Sequence, residues 1–67
     1  MTLKEYDVVR LLRPLPEHKL PMGAVGAVVV VYEHPCAYEV EFCDKDGVTL
    51  ALVTLSELDI EKTVSQP

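Results

Sequence analysis

The amino-acid sequence predicts an all-β fold: a small barrel of about five short strands, with one short helical turn before the last. Three observations predict it. No stretch longer than ten residues keeps a 3.6-residue apolar period, so a helix would have no face to bury. Valine and tyrosine are concentrated in short runs such as "AVGAVVVVY" and "AYEVEF". Proline, glycine and aspartate punctuate those runs at "RPLPEHKLP", "EHPC" and "DKDG".

The elements follow in order. A short turn at "LKEY" leads into "DVVRLL", Asp7–Leu12, whose β-branched content and length suit a first strand. Pro14, Pro16 and Pro21 bracket the next loop. Each removes a ladder donor and restrains the residue before it, so this loop reads as neither helix nor inner strand. "AVGAVVVVY" is the second strand, because its five valines favour a pleated ribbon over a helix. Gly26 inside it predicts a bulge or a sharp curl. After the turn "EHPC", the alternation in "AYEVEF" sends Tyr38, Val40 and Phe42 inward and Glu39 and Glu41 to water. "DKDG" supplies hairpin chemistry, with Gly47 able to take a positive φ. "VTLALVTL" is the fourth strand, Ser56 caps a single turn at "SELD", and "IEK" is a short fifth strand. The chain, 1–67, is one domain with its core at about 5–62, and "TVSQP", 63–67, is expected to fray.

Five short strands, a long loop after the first and a helical turn before the last describe an SH3-like barrel. An OB-like barrel is the alternative, but it needs a longer chain and a helix between its third and fourth strands, for which "DKDG" leaves no room. The stretches "EYDVVRLLRPLPEHKLPMGAVGAVVVVY" and "YEVEFCDKDGVTLALVTLSELDI" resemble a family of short bacterial proteins known as domain of unknown function 4926. The likeness covers residues 5 to about 61, and its most specific parts are the two glycines and the "VEF-D-DG" segment. The resemblance implies an SH3-like β-barrel and carries no known catalytic residues. The chain departs from the family pattern at Arg13 and Pro14, where an acidic residue is expected, so a partner shared through this loop is not implied.

Composition narrows the function classes. Eleven acidic residues against six basic ones give a formal net charge of −5. A binder of phosphate backbones needs a clustered positive field, so nucleic acid is a disfavoured partner. Cys36 and Cys43 lie seven residues apart on one expected strand. That separation spans about 23 Å, against roughly 7 Å between bridged Cα atoms, so free thiols and a reducing, cytoplasmic setting are expected. "MTLKEYDVVR" carries charges where an export signal needs an apolar segment. The longest apolar run, nine residues from Ala24 to Tyr32, is too short for a membrane-spanning helix.

No residue set reads as catalytic or cofactor-binding. "GAVG" has the glycine spacing of a phosphate clamp, but no basic residue follows it, so turn and barrel geometry are the better explanation. His18, His34, Cys36 and Cys43 match no zinc spacing, and no metal is expected. Glu39 and Glu41 share a strand face without a histidine or nucleophile beside them, which describes a solvated acidic ridge able to meet a basic partner. Arg10, Arg13, His18 and Lys19 cluster at the first loop, where a nucleic-acid contact is the alternative reading; Glu17 dilutes their charge and stacking aromatics are missing.

The remaining signal is apolar. Either a two-residue or a four-residue hairpin loop puts Ala51 and Val53 on the face of Val40 and Phe42, and so turns Leu50 and Leu52 outward beside Glu39 and Glu41. The run Val28–Val31 fills both parities, so one valine pair, of which Val29 and Val31 are the candidates, also faces out. Strands apolar on both faces are covered on both sides, and this chain has little left to cover the second. The expectation is a non-enzymatic protein-interaction module that uses Leu50, Leu52, Val29, Val31, Glu39 and Glu41, with Arg10 and Arg13 at its margin. Its partner is a second copy or another bacterial protein, and the alternative is an RNA- or ribosome-associated barrel.

Overall fold

The computed structural model describes residues 3–63, which form five strands and one short 3-10 turn. The strands are β1 (Val8–Leu11), β2 (Val25–Glu33), β3 (Cys36–Cys43), β4 (Thr49–Leu55) and β5 (Ile60–Lys62). All pair antiparallel in a single sheet of order β4-β3-β2-β1-β5, so each strand lies beside its chain neighbour except β5, which crosses back to β1. The all-β fold and strand count expected from the sequence are those observed. Among the described residues no helix is long and apolar enough to cross a membrane.

The core sits on one face of the sheet. β3 builds it by strict alternation: Tyr38, Val40 and Phe42 are all buried, while Glu39 and Glu41 face the other way. Val40 lies between Val28 of β2 and Val53 of β4, and Phe42 lies opposite Ala51. Val9 and Leu11 complete the face from β1, and Ile60 from β5. Fully burying a side chain of this size contributes about 1.5–3 kcal/mol, so β3 alone supplies a large part of the apolar stabilisation.

Two irregularities set the register. β2 shifts by one residue against β3 between Val28 and Val30, leaving Val29 as the extra residue of a bulge. The sequence placed the irregularity at Gly26, yet Gly26 pairs regularly with Val9. Glycine is needed there because a Cβ would lie 2.8 Å from the Glu41 carbonyl oxygen and from Val40. The second shift lies between Phe42 and Cys43, where β4 carries an extra residue near Leu50. Beyond it a three-residue loop, Lys45–Gly47, closes the hairpin. Asp44 accepts from the backbone N–H of Asp46 and Val48, and Gly47 takes φ 83°.

The proline-bracketed loop is more ordered than its sequence suggested. Pro16–His18 form the 3-10 turn, with proline at its start, where a missing N–H costs nothing. A bridge between Leu15 and Leu20 brings both leucines into the core. The turn expected at 56–59 is a hydrogen-bonded turn: Asp59 N–H donates to Ser56 O, and the Ser56 hydroxyl caps Leu58 N–H at 3.2 Å. Thr63, expected to fray, is held by its N–H, which donates to Val8 O; the rest of the expected tail, 64–67, lies outside the described residues.

Candidate interaction surface

The outer face of the sheet is read row by row from the strand pairing. One row runs Val8, Ala27, Glu41, Leu52 across β1, β2, β3 and β4. The next runs Val30, Glu39, Thr54 across β2, β3 and β4. Leu50 and Leu52 are exposed (56% and 58%) as expected, but the loop has three residues rather than two or four, and the bulge near Leu50 compensates for it and sets Leu52 outward opposite Glu41. Val8, Val25, Val30 and Tyr32 are also exposed, so apolar side chains stand on this face on both sides of the β3 glutamates. A shallow depression on this face is lined by Val8, Val25, Gly26, Ala27, Glu41 and Cys43.

The bulge at Val29 changes which valines belong to this surface. Val28 points into the core, and after the extra residue Val31, opposite Tyr38, packs against the core as well. Val31 is therefore not an outward residue, and Val29 sits at the bulge, half-buried. Val30 and Tyr32 take the outward places. A run of four valines has no alternation to show where parity slips, so the sequence held no signal for Val30. Val8 was foreshadowed by its alternation with the inward Val9 and Leu11.

The acidic residues on the face are held by hydroxyl groups. Glu39 accepts from Tyr32 Oη at 3.0 Å and from Thr54 Oγ1 at 2.8 Å, and Glu41 accepts from Thr49 Oγ1. The bond to Glu39, and then burial, raise the Tyr32 hydroxyl above its usual pKa. These carboxylates orient neighbouring hydroxyls, and among the described residues no histidine or thiol hydrogen-bonds to them. The interleaving of leucine, valine and glutamate makes a patch that is apolar in its bulk and negative in its polar positions.

Arg10, opposite Val25 at the β1 margin of this face, and Arg13 are paired within the chain. Arg10 pairs with Glu61 directly opposite it on β5, and Arg13 Nε lies 2.8 Å from Asp59 Oδ1. The Arg13 hydrogen bond, reinforced by the Ser56 backbone N–H, holds the Asp59 carboxyl below the usual carboxylate range. Lys62 lies 3.6 Å from Asp7. Arg10 and Arg13 thus face carboxylates of their own chain, and His18 and Lys19 sit apart from them at the 3-10 turn.

The other candidates do not converge. Cys36 and Cys43 are exposed free thiols at opposite ends of β3, and Cys36 Sγ lies 3.5 Å from the buried Tyr38 hydroxyl. Among the described residues no group of three or more His, Cys, Asp or Glu comes together to hold a metal ion. In "GAVG", Gly23 makes a turn at φ 88° while Gly26 lies inside β2, so the two do not form one phosphate-cradling loop. Residues 5–62 match the model of the family described as Domain of unknown function (DUF4926). No curated protein and no solved structure matches the chain.

Proposed function

The chain belongs to the family described as Domain of unknown function (DUF4926), and from that premise we propose that it is a non-enzymatic protein-interaction module working through the outer face of its sheet. We read the strand order β4-β3-β2-β1-β5, with its long first loop, as that of an SH3-like barrel. The observation that carries the functional reading is the outward exposure of Leu50 and Leu52 on β4 and of Val8 and Val30 on β1 and β2, in a chain whose core is already filled from the other face. Exposed apolar side chains gathered on one face support an interface reading. Its glutamates favour partners offering hydroxyl or basic groups at the rim. The partner is a second copy or another protein of the same cell, and the free exposed thiols of Cys36 and Cys43 suit a reducing cytoplasm. A nucleic-acid reading has less support, because Arg10 and Arg13 are each engaged by a carboxylate.

The test compares wild type with Leu50→Thr/Leu52→Thr, which keeps strand propensity and removes the leucines. Sedimentation and affinity capture from cell extract are read together with circular dichroism. A loss of self-association or of captured proteins at unchanged fold supports the reading. Identical assembly and an identical captured set in both proteins overturn it.

A further inference from the structure

We propose that the chain pairs with a second copy of itself along the free edge of β4, the two β4 strands running antiparallel about a two-fold axis so that one sheet continues through both copies. The inference deepens the interaction reading above and rests on it.

The two edges of this sheet are built differently. β5 is three residues long and carries Glu61 and Lys62, which pair with Arg10 and Asp7. Shortness and charge are the devices that stop an edge from pairing with another chain. β4 has neither. Its seven residues, Thr49–Leu55, read TLALVTL, with no charge, no proline and no glycine. Only β3 pairs with it, and no backbone hydrogen bond of a turn or loop reaches it from the other described residues. Every second N–H and C=O along β4 therefore points away from β3 without a backbone partner among the described residues. The bulge near Leu50 affects only the start of the strand, and Ala51–Leu55 keep a regular register with β3.

A second copy suits this edge better than a charged partner does. A basic or acidic strand would find no opposite charge along TLALVTL. Antiparallel self-pairing about a two-fold uses the same donors and acceptors on both copies and sets no like charges opposite each other. It also brings Leu50 and Leu52, 56% and 58% exposed, against the outer-face side chains of the other copy. The net charge of −5 per chain does not oppose contact here. Glu41 lies one strand back from the edge, opposite Leu52. Across the paired edges it is three strand spacings, about 14 Å, from its symmetry mate, beyond the screening length of roughly 8 Å at physiological salt.

The experiment is sedimentation at micromolar concentration combined with amide hydrogen exchange on wild type, Leu52→Lys and Thr54→Lys. Each new lysine stands on the edge strand beside a glutamate of β3, Glu41 or Glu39, so the monomer keeps its fold. The expected result is a wild-type dimer and monomeric lysine variants. In wild type, the β4 amides facing away from β3 should lose protection on dilution while β5 amides do not change. If both variants misfold, the concentration dependence of the wild-type β4 amides decides alone. A wild-type monomer overturns the pairing, and so does a dimer whose outward β4 amides exchange freely, since that dimer joins face to face. Neither result touches the broader interaction reading, which falls only if Leu50→Thr/Leu52→Thr changes neither assembly nor the captured proteins.

Discussion

Gly26 lacks a side chain because none fits. A Cβ there would stand 2.8 Å from the Glu41 carbonyl oxygen and 2.9 Å from Phe42, and a backbone atom cannot swing aside as a flexible side chain can. Gly26→Ala is therefore expected to destabilise the fold by about 1–3 kcal/mol, the usual cost of overpacking, read as a lower urea midpoint at unchanged slope. The residue stood out in the sequence, but the reason it gave was a bulge. Close approach between neighbouring strands depends on which residue of β3 lies opposite, and one sequence does not display that pairing. Asp59 makes a second prediction at this scale. Its carboxyl is held below its ordinary value of about 3.9, chiefly by the Arg13 hydrogen bond. The folded-state pKa is thus depressed, so the stability it contributes is present above the ordinary value and is lost as pH falls through the lower, folded one. Arg13→Met should raise the pH at which Asp59 titrates by NMR. The pair is exposed on the arginine side, so solvent screening keeps its share of the stability small. An unmoved Asp59 titration would show that the arginine does not hold the carboxyl.

The elements differ in how plainly their sequences specify them. β3 alternates without a break, and its inward set, Tyr38, Val40 and Phe42, is the buried set. The β3–β4 hairpin does not follow from parity alone: its three-residue loop would turn Leu50 and Leu52 inward, and the extra residue near Leu50 restores the register that leaves both exposed. β2 is the opposite case to β3. Four valines in succession satisfy either face, so the bulge at Val29 costs no apolar contact and leaves no mark on the sequence. The first loop hid its order for another reason. Three prolines announce a break in the ladder, but a 3-10 turn needs little from the sequence beyond Pro16 at its start, and the Leu15–Leu20 bridge that docks it is a tertiary contact. At the hairpin the Asp44 carboxylate accepts from two backbone N–H groups, which places a single side chain in charge of the loop. Asp44→Ala leaves both donors to water and should cost about 1–2 kcal/mol, while Asp44→Asn keeps an acceptor and should lose less. Chemical denaturation of the two variants orders them, and equal losses would mean that the bonds do not govern the loop.

On the scale of the whole molecule the sheet has one core and two faces, and the two faces should respond to mutation in opposite ways. Long-range pairing is what the sequence could not display. Arg10 and Arg13 read as a free basic cluster until the fold brought Glu61 and Asp59 beside them from the far end of the chain. The inner face collects nearly all the buried apolar side chains of a chain this short, and a single core of this size rarely leaves more than about 3–5 kcal/mol of net stability. Phe42→Ala removes a fully buried ring at a cost of about 3–5 kcal/mol, comparable with that whole margin, so the variant should be unfolded at room temperature by circular dichroism. The outer face lies outside this balance. Leu50→Thr/Leu52→Thr changes two side chains that are more than half exposed, and under conditions where the chain is monomeric its unfolding free energy should stay within about 0.5 kcal/mol of wild type. At concentrations where copies associate, the same variant should fall below wild type, because binding to the native state adds stability that grows with concentration. A concentration-dependent gap between the two melting curves therefore measures how far the leucines serve assembly rather than folding. A gap of several kcal/mol that persists on dilution would place Leu50 and Leu52 in the fold itself and remove the reason for calling this face a surface for a partner.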